Sequence, residues 1–159
     1  MFIRANMKKA IIVSGTPGTG KTTIAKKFSK EKNYEYVDIN EIIKKNKLNE
    51  GYDKKRKSLI VDTNKLNELL ISLIRNSKET LVIDGHLSHY LDKKYVRLCI
   101  ITKCDLKILK KRLEKRGYGK NKIRENLDAE IFDTCKTEAL EKGHNVKVVD
   151  TTRGLIPPF

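Results

Sequence analysis

The sequence has few cysteines and no long apolar run, and each of these absences argues against a class of protein. Cys99, Cys104 and Cys135 form no C-x-x-C pair and no cluster with histidine, which argues against a disulfide framework and a structural zinc site. No apolar run approaches the ~18 residues of a membrane span. Residues 1–9 are too short and too polar for a secretory signal. A reducing cytoplasm is therefore the expected location.

The charge is far from balanced. The chain of 159 residues has 35 Lys and Arg against 20 Asp and Glu, a formal net charge of +15. This favours polyanions as ligands, namely nucleotides, RNA or an anionic membrane surface, and a lysine-rich solubilising surface is the alternative. The length predicts one domain over residues 1–159 that needs no disulfides to bury a core. Met7, close to the first predicted strand, could itself serve as a natural start.

The stretch Gly15–Thr22 fits G-x-x-x-x-G-K-[ST], the pattern of a phosphate-binding P-loop. Residues 10–13 predict a buried strand before it, and residues 22–29 predict a helix after it, which is the context that the motif requires. Its glycines let backbone N–H groups turn around a polyphosphate, and the helix N-terminus adds partial positive charge. Lys21 is placed to reach the β- and γ-phosphates of ATP, and the Thr22 hydroxyl to bind Mg²⁺.

Strands and helices alternate along the rest of the chain. We expect further strands at 36–38, 81–84, 95–102 and 146–150, helices at 40–47, 105–116 and 122–142, and a helix that Asp62 or Thr63 caps and that runs through Ile74. Residues 48–57 are polar and predict an exposed loop. Such alternation implies a parallel sheet covered on both faces. The helical spacing assigns these residues to the core: Leu66, Leu69, Leu70, Leu73, Ile74, Leu106, Leu109, Leu113, Ile123, Leu127, Ile131, Phe132, Cys135, Ala139 and Leu140.

Two residues at the end of the third predicted strand, or just after it, are candidates for chemistry beside the P-loop. Asp84 ends that strand and could hold a Mg²⁺-bound water near the phosphates, although an aspartate there could also cap the next turn. His86 could orient a water or a γ-phosphate, or could be a hydrogen-bonded structural histidine. His89 follows with no visible third ligand, so we do not expect zinc.

Arginines flank the break Gly117-Tyr118-Gly119 after the fourth predicted helix. A mobile cation near the γ-phosphate lowers the barrier to phosphoryl transfer, and a glycine-flanked turn could act as a small lid. Arg112 and Arg124 fit a solvated basic face equally well. For Arg116 we favour function, because it adjoins the hinge-like glycine.

Thr102-Lys103-Cys104-Asp105 resembles the [NT]KxD guanine motif of GTPases and makes a small GTPase one alternative. A GTPase should also carry D-x-x-G after its third strand, and here the glycine directly follows Asp84. Asp105 could instead be the N-cap of the next helix.

Several segments together resemble one family. Besides the P-loop, they are Glu50-Gly51-Tyr52-Asp53, Val82–His86, Arg112–Tyr118 and Glu125–Phe132, in this order. The sequence is similar to the adenylate kinase isoenzyme 6 family, which includes a eukaryotic nuclear enzyme, also described as a coilin-interacting ATPase, and archaeal relatives. The resemblance runs from about Lys9 to Thr152. The P-loop alone is unspecific, whereas the last two segments together are specific.

The resemblance implies an α/β P-loop fold of the nucleoside monophosphate kinase type, with five parallel strands in the order 2-3-1-4-5. It implies the reaction ATP + AMP ⇌ 2 ADP, ATPase activity, and a role in small ribosomal subunit maturation (16S rRNA processing) through a platform ribosomal protein. It implies that ATP phosphates contact Gly18, Gly20, Lys21, Thr22 and Thr23, that Arg116 is the lid arginine, and that Asp84 and His86 form a Walker B-like pair. The monophosphate region would span about 38–60 and the lid about 115–125.

The sequence departs from this pattern at the acceptor side. Ordinary adenylate kinases carry D-G-[FY]-P-R, whose arginine grips the monophosphate, whereas here Asp84-Gly85 continues into His86-Leu87-Ser88. Lys44 stands where relatives often have an arginine, and lysine lacks the bidentate fork. These departures leave the preferred monophosphate open. Direct RNA contact is a separate question that the sequence also leaves open. A nucleotide-switched ribosome-assembly ATPase with little kinase activity is the second alternative. The family continues into a C-terminal helix, whereas the proline-rich end 155–159 cannot form one.

Overall fold

The computed structural model describes residues 7–53 and 58–154. Residues 1–6, which precede the possible start at Met7, and the tail at 155–159 lie outside these residues. The elements are β1 (Ala10–Gly15), α1 (Lys21–Lys32), β2 (Glu35–Asp38), α2 (Ile39–Lys45), β3 (Asn49–Asp53), β4 (Ser58–Val61), α3 (Thr63–Asn76), β5 (Leu81–Asp84), the single 3-10 turns Ser88–Tyr90 and Lys93–Tyr95, β6 (Val96–Lys103), α4 (Leu106–Lys115), α5 (Lys120–Ile131), α6 (Thr134–Glu141) and β7 (Val146–Asp150).

Five strands form one parallel sheet in the order β2-β5-β1-β6-β7. Counted among themselves these strands run 2-3-1-4-5, so the expected order is confirmed, and the labels differ only because β3 and β4 lie outside this sheet. Asp84 is in register with Val13 and with Asp38. The carboxyl ends of β1, β2 and β5 therefore meet at one edge, where parallel α/β sheets bind ligands.

Both faces of the sheet are buried. Ile12 faces one core, which includes Leu66 and Leu70 of α3, whereas Ile11 and Val13 face a second core that includes Ile24 of α1. This explains why β1 is an unbroken apolar run rather than an alternating one. Among the described residues, no helix is long and apolar enough to cross a membrane.

A third, smaller core joins α4 and α5. It consists of Cys104, Leu109, Leu113 and Ile123, with Ile108, Tyr118 and Leu127 packed against it. The predicted break at Gly117 is the connection between these two helices, and Gly117 has a φ of +79°. The segment expected to act as a lid is thus the tip of a short helical hairpin that has its own apolar contacts.

The expectation of an exposed loop at 48–57 is wrong for most of the described residues, which are 48–53. β3 and β4 pair antiparallel, with Asn49 opposite Val61 and Gly51 opposite Ile60, and Leu48 is buried at the base of this hairpin. The polar residues of this stretch gave no sign of β3, because this strand is stabilised by backbone pairing with β4, which follows it in the chain. Residues 54–57 lie outside the described part.

The single helix expected at 122–142 is also wrong, because α5 and α6 are separate helices. The chain turns at Phe132 and Asp133, and Asp133 has a φ of 51°. The turn gives α6 a new buried face, so three residues assigned to the core are exposed: Ile131 at 55%, Phe132 at 74% and Leu140 at 53%. Leu73 and Leu106, also assigned to the core, are 39% and 40% exposed because each lies at the margin of its apolar stripe.

The expected N-caps of two helices are confirmed. The Asp62 carboxylate accepts a hydrogen bond from the Lys65 N–H at 3.1 Å at the start of α3. Asp105 accepts from the Lys107 N–H at 2.9 Å at the start of α4. Gly143, with a φ of +82°, follows α6.

Candidate functional site

The P-loop has the conformation that its glycines allow. Gly15, Gly18 and Gly20 have φ values of +146°, +90° and +89°, a region that side chains disfavour. A Cβ on Gly15 would lie 2.5 Å from the Thr102 hydroxyl oxygen, and one on Gly18 would lie 2.9 Å from a methyl group of Leu109. The loop is therefore closely packed against β6 and against the α4–α5 hairpin.

Lys21 folds back over this loop. Its ammonium donates to the carbonyl oxygens of Gly15 at 3.0 Å and of Thr16 at 3.3 Å. Burial lowers the pKa of Lys21 to about 8, and the nearby carboxylates oppose that shift only in part. Carbonyl oxygens are weaker partners for an ammonium than anionic phosphate oxygens. The lysine is thus held where a bound polyphosphate could take over its hydrogen bonds.

Asp84 and Thr22 meet at the carboxyl end of β5. The buried Asp84 carboxylate accepts at Oδ2 from the Thr22 hydroxyl at 2.7 Å and from the Tyr36 hydroxyl at 2.7 Å. Burial, with the hydrogen bond to Asp84, raises the pKa of Tyr36, so its hydroxyl stays a donor. Sequence reasoning missed Tyr36, because only the pairing of β2 with β5 brings it to the carboxylate.

The residues at this point fit Mg²⁺. Mg²⁺ prefers oxygen ligands and is usually bound by one or two protein groups together with substrate phosphates and waters. Asp84 and Thr22 supply such oxygens beside the P-loop. Within the described residues, no group of three or more His, Cys, Asp and Glu could hold a metal by itself. The donor set is that of a metal bound together with a nucleotide.

His86 and His89 have different surroundings. The His86 ring is reached by solvent, but the cavity walls around it, together with the Lys21 charge, lower its pKa. His89 is 1% exposed; its Nδ1 is 2.7 Å from the Ser14 hydroxyl and its Nε2 is 2.6 Å from a carboxylate oxygen of Glu138. His86 is therefore open to a ligand, whereas both nitrogens of His89 have protein partners.

The three arginines near the hairpin differ as well. Arg112 donates to the Gly18 carbonyl at 3.3 Å and to the Thr151 carbonyl at 2.8 Å, so it connects the P-loop to the segment after β7. Arg124 is exposed and pairs with Asp128, as expected for a solvated face. Arg116 ends α4 directly before Gly117 and lines the cavities described next.

Two cavities meet at the P-loop. The larger, of about 650 Å³, lies towards α2, α5 and α6, and the smaller, of about 420 Å³, lies towards Arg112 and Thr151. Four lining residues are common to both: Gly18, Gly20, Thr23 and Arg116. The larger cavity is also lined by the other residues expected at the site: Lys21, Thr22, Asp84 and His86. The structure thus brings every predicted site residue to one place.

The predicted acceptor side is only partly at this cavity. Asp38 and Asn40, at the start of the predicted monophosphate region, line it. Lys44 is exposed in the last turn of α2 and lines neither of the two cavities. Sequence reasoning did not identify three further residues that line the cavity, namely Tyr90, Asn126 and Glu138.

The GTPase-like segment has structural contacts instead. The Thr102 hydroxyl is 2.7 Å from the Thr19 hydroxyl, Lys103 pairs with Asp133, and Asp105 caps α4. None of the three lines either cavity. These contacts explain the segment without a guanine base.

Comparisons with known proteins distinguish the adenylate kinase isoenzyme 6 family from the small GTPases. A family model described as an AAA domain matches residues 11–133. A protein of Methanocaldococcus jannaschii named as a candidate adenylate kinase is 42% identical over 142 residues, which cover 89% of this chain and 76% of that protein. The adenylate kinase isoenzyme 6 homolog FAP7 of Saccharomyces cerevisiae is 41% identical over 132 residues, which cover 82% of this chain and 66% of that protein.

The chain belongs to the adenylate kinase isoenzyme 6 family. The chain shares its fold with kinases of known structure. A shikimate kinase from Acinetobacter baumannii is 15% identical with a TM-score of 0.60, over 89% of this chain and 84% of that one. A deoxyadenosine kinase from M. mycoides is 17% identical with a TM-score of 0.53, over 89% and 90%. This family member is an adenylate kinase-like phosphotransferase that binds nucleotides.

Proposed function

We propose that this protein transfers the γ-phosphate of ATP to AMP, in the reaction ATP + AMP ⇌ 2 ADP, and that it also hydrolyses ATP. One observation carries the proposal: the P-loop lies between two cavities that share Gly18, Gly20, Thr23 and Arg116. A donor in one cavity and an acceptor in the other would meet at the phosphate that is transferred. Holding both in line is most of what such an enzyme must do.

ATP is proposed to bind with its nucleoside in the smaller cavity and its phosphates along the P-loop. Arg112 and Thr151 line that cavity, and Arg112 already holds the loop through Gly18. The phosphates would take over the Lys21 ammonium from the carbonyls of Gly15 and Thr16. Arg116, in the lid at 115–125, would reach the transferring phosphate because it lines both cavities.

Mg²⁺ is proposed to bind at Thr22 and Asp84. When bound, it would neutralise charge on the transferring phosphate. The Thr22 hydroxyl would turn its oxygen towards the ion, and Asp84 would hold a coordinated water. Tyr36 keeps the Asp84 carboxylate in place, since its hydroxyl donates to Oδ2 at 2.7 Å.

The monophosphate is proposed to enter the larger cavity beside His86 and the region 38–60. AMP is the proposed acceptor because both relatives are named for adenylate kinase activity. His86 lies open to that cavity and would orient either the acceptor or a water, which would determine the ratio of transfer to hydrolysis.

Wild-type protein with Mg-ATP and AMP should form ADP well beyond the ADP that ATP hydrolysis yields. Lys21→Ala should abolish turnover, because it removes the cation from the P-loop. Lys30→Ala is the matched control, since Lys30 is exposed in the last turn of the same helix and lines neither cavity. Equal turnover of the Lys21 variant and wild type would contradict the proposal.

A second candidate is a nucleotide-controlled role in small ribosomal subunit maturation, including 16S rRNA processing, through a platform ribosomal protein. The net charge of +15 favours it, because pre-ribosomal particles are polyanionic. The two roles can coexist in one molecule. A pull-down of small-subunit components with and without ATP tests it, and capture that is indifferent to nucleotide would count against a switch.

A further inference from the structure

The larger cavity extends beyond the residues that phosphoryl transfer uses. One of its walls is formed by α6, where Thr134, Cys135 and Glu138 line it from one face of the helix. None of these three side chains has a role in the proposed reaction. Glu138 is the charged residue of this wall, and its side chain is 32% exposed.

Glu138 is held in one orientation by two donors. His89 Nε2 lies 2.6 Å from its Oε2, and the Tyr90 hydroxyl donates to the same oxygen at 2.8 Å. His89 is in turn fixed by the Ser14 hydroxyl at 2.7 Å, directly before the P-loop. The carboxylate is therefore positioned from the strand that carries the phosphate-binding loop.

The other oxygen of this carboxylate has no such partner. Within the described residues, Glu138 Oε1 makes no hydrogen bond to the protein. Burial alone would raise the pKa of Glu138, but the hydrogen bonds from His89 and Tyr90 outweigh it and hold the pKa below its usual value. An ionised carboxylate only accepts hydrogen bonds, so this oxygen is suited to a ligand that donates one.

The charge of Glu138 restricts which part of a ligand can lie there. A phosphate beside it would be repelled, whereas Lys21 and Arg116, which also line the cavity, attract phosphate. An acceptor nucleotide would therefore place its phosphate at the P-loop and its nucleoside towards α6. Amino groups of the base and hydroxyls of the ribose are the donors that a nucleoside offers.

We propose that Glu138 is a specificity-determining residue of the acceptor site, whose Oε1 accepts a hydrogen bond from an N–H or O–H group of the acceptor nucleoside. This inference rests on the proposed monophosphate kinase function. His89 and Tyr90 are positioning residues that act through Glu138. A charged hydrogen bond of this kind distinguishes an acceptor that has the donor from one that lacks it by ~10-fold or more.

The test measures acceptor binding by titration calorimetry and transfer by steady-state kinetics, for wild type and Glu138→Gln. The probes are AMP, purine riboside monophosphate without the amino group, and the 2′-deoxy and 3′-deoxy forms of AMP. Glu138→Gln should weaken AMP binding ~10-fold and leave the KM for ATP unchanged. One analogue should bind wild type weakly and be insensitive to the substitution, and that analogue identifies the donor as base or ribose.

Glu141→Gln is the matched control, because Glu141 is exposed at the end of the same helix and does not line the cavity. Where Glu138→Gln does not fold, Tyr90→Phe removes one of the two donors to the carboxylate and should show the same selectivity with a smaller effect. Equal weakening of AMP and all analogues, equal weakening of ATP, or no change would overturn the inference.

The two proposals fail in different ways. If wild type forms diphosphate and Glu138→Gln treats all acceptors alike, the kinase function stands and the role of Glu138 falls. If wild type binds AMP in a manner that depends on Glu138 but forms no diphosphate, the role of Glu138 stands and the kinase function falls.

Discussion

Two charged residues of the candidate site are held by specific partners and two other side chains are open to the cavities, and this difference makes their roles testable. Lys21 contacts carbonyls of the P-loop, and Asp84 receives two hydroxyl donors. Arg116 and His86 are the residues left open to the cavities. The first two would bind nucleotide and metal, and the last two would act on the phosphate in transit.

Arg116→Ala should slow both transfer to a monophosphate and ATP hydrolysis, by ~10³-fold or more, because the lid cation stabilises the same phosphate in either reaction. His86→Ala should change the ratio of hydrolysis to transfer more than it changes ATP affinity. Both rates are measured for each variant, with Arg124→Ala as the control on the solvated face of α5. Small effects of Arg116→Ala on both rates would indicate that Arg116 belongs to a solvated basic face. An unchanged ratio of hydrolysis to transfer in His86→Ala would indicate that His86 has a structural role.

Tyr36→Phe should weaken Mg²⁺ binding by about 10-fold, since groups that orient a metal-binding carboxylate typically contribute that much. The Mn²⁺ affinity of the nucleotide complex, followed by electron paramagnetic resonance, reports this without relying on turnover. Tyr34→Phe is the control, because the Tyr34 hydroxyl contacts Arg97 and not Asp84. Identical metal affinities in the two variants would remove Tyr36 from the site.

His89 predicts a pH dependence of stability. Burial lowers the pKa of His89, so the unfolded chain takes up a proton near pH 6.5 while the folded protein does not. The free energy of unfolding should therefore fall as the pH is lowered from 7 to 5. In His89→Gln this slope should decrease by up to one proton, about 1.4 kcal/mol per pH unit, as measured by urea unfolding at each pH. A slope that does not change would indicate that His89 is protonated when folded.

At the scale of elements, the P-loop and the α4–α5 hairpin are in contact through Gly18. A Cβ there would lie 2.9 Å from Leu109 and 3.0 Å from Leu113, two residues of the hairpin core. The hairpin that carries Arg116 thus rests on the loop that would bind the phosphates. A shift of the hairpin should therefore also shift the P-loop, and a shift of the P-loop should shift the hairpin.

Gly18→Ala should cost more than the strain of its positive φ, because the added methyl also pushes the hairpin away. Gly117→Ala is the matched control, since Gly117 has a φ of +79° but no neighbour within 4 Å of an added Cβ. The control should lose about 1 kcal/mol of stability from backbone strain alone. Gly18→Ala should lose more stability and also ATP affinity, measured by urea unfolding and calorimetry. Equal losses of stability in the two variants would mean that the hairpin yields to the added methyl group at no further cost.

The parts that sequence reasoning predicted are those whose signal is local. The P-loop motif and the buried strand that ends in Asp84 predicted the phosphate edge, and the alternation of elements predicted the sheet. Tyr36 and Glu138 could not be found this way, because their partners are 48 and 49 residues away along the chain. The turn at Asp133 was missed because an apolar stripe continues in sequence although the helix does not.

At the scale of the whole molecule, the family and the two cavities support the proposed activity. The chain belongs to a family of adenylate kinase-like proteins, and its P-loop lies between the two cavities proposed for donor and acceptor. The cytoplasmic location and the ribosomal partner stay predictions. What separates a kinase from a nucleotide-controlled ATPase is the fate of the γ-phosphate.

The most direct measurement follows that phosphate. Mg-ATP labelled at the γ-position is mixed with protein and each common nucleoside monophosphate in turn, and labelled diphosphate and free phosphate are quantified in the same reaction. The account predicts labelled ADP from AMP in clear excess over free phosphate, with neither product in Lys21→Ala. Free phosphate alone, with no labelled diphosphate from any monophosphate, would contradict it.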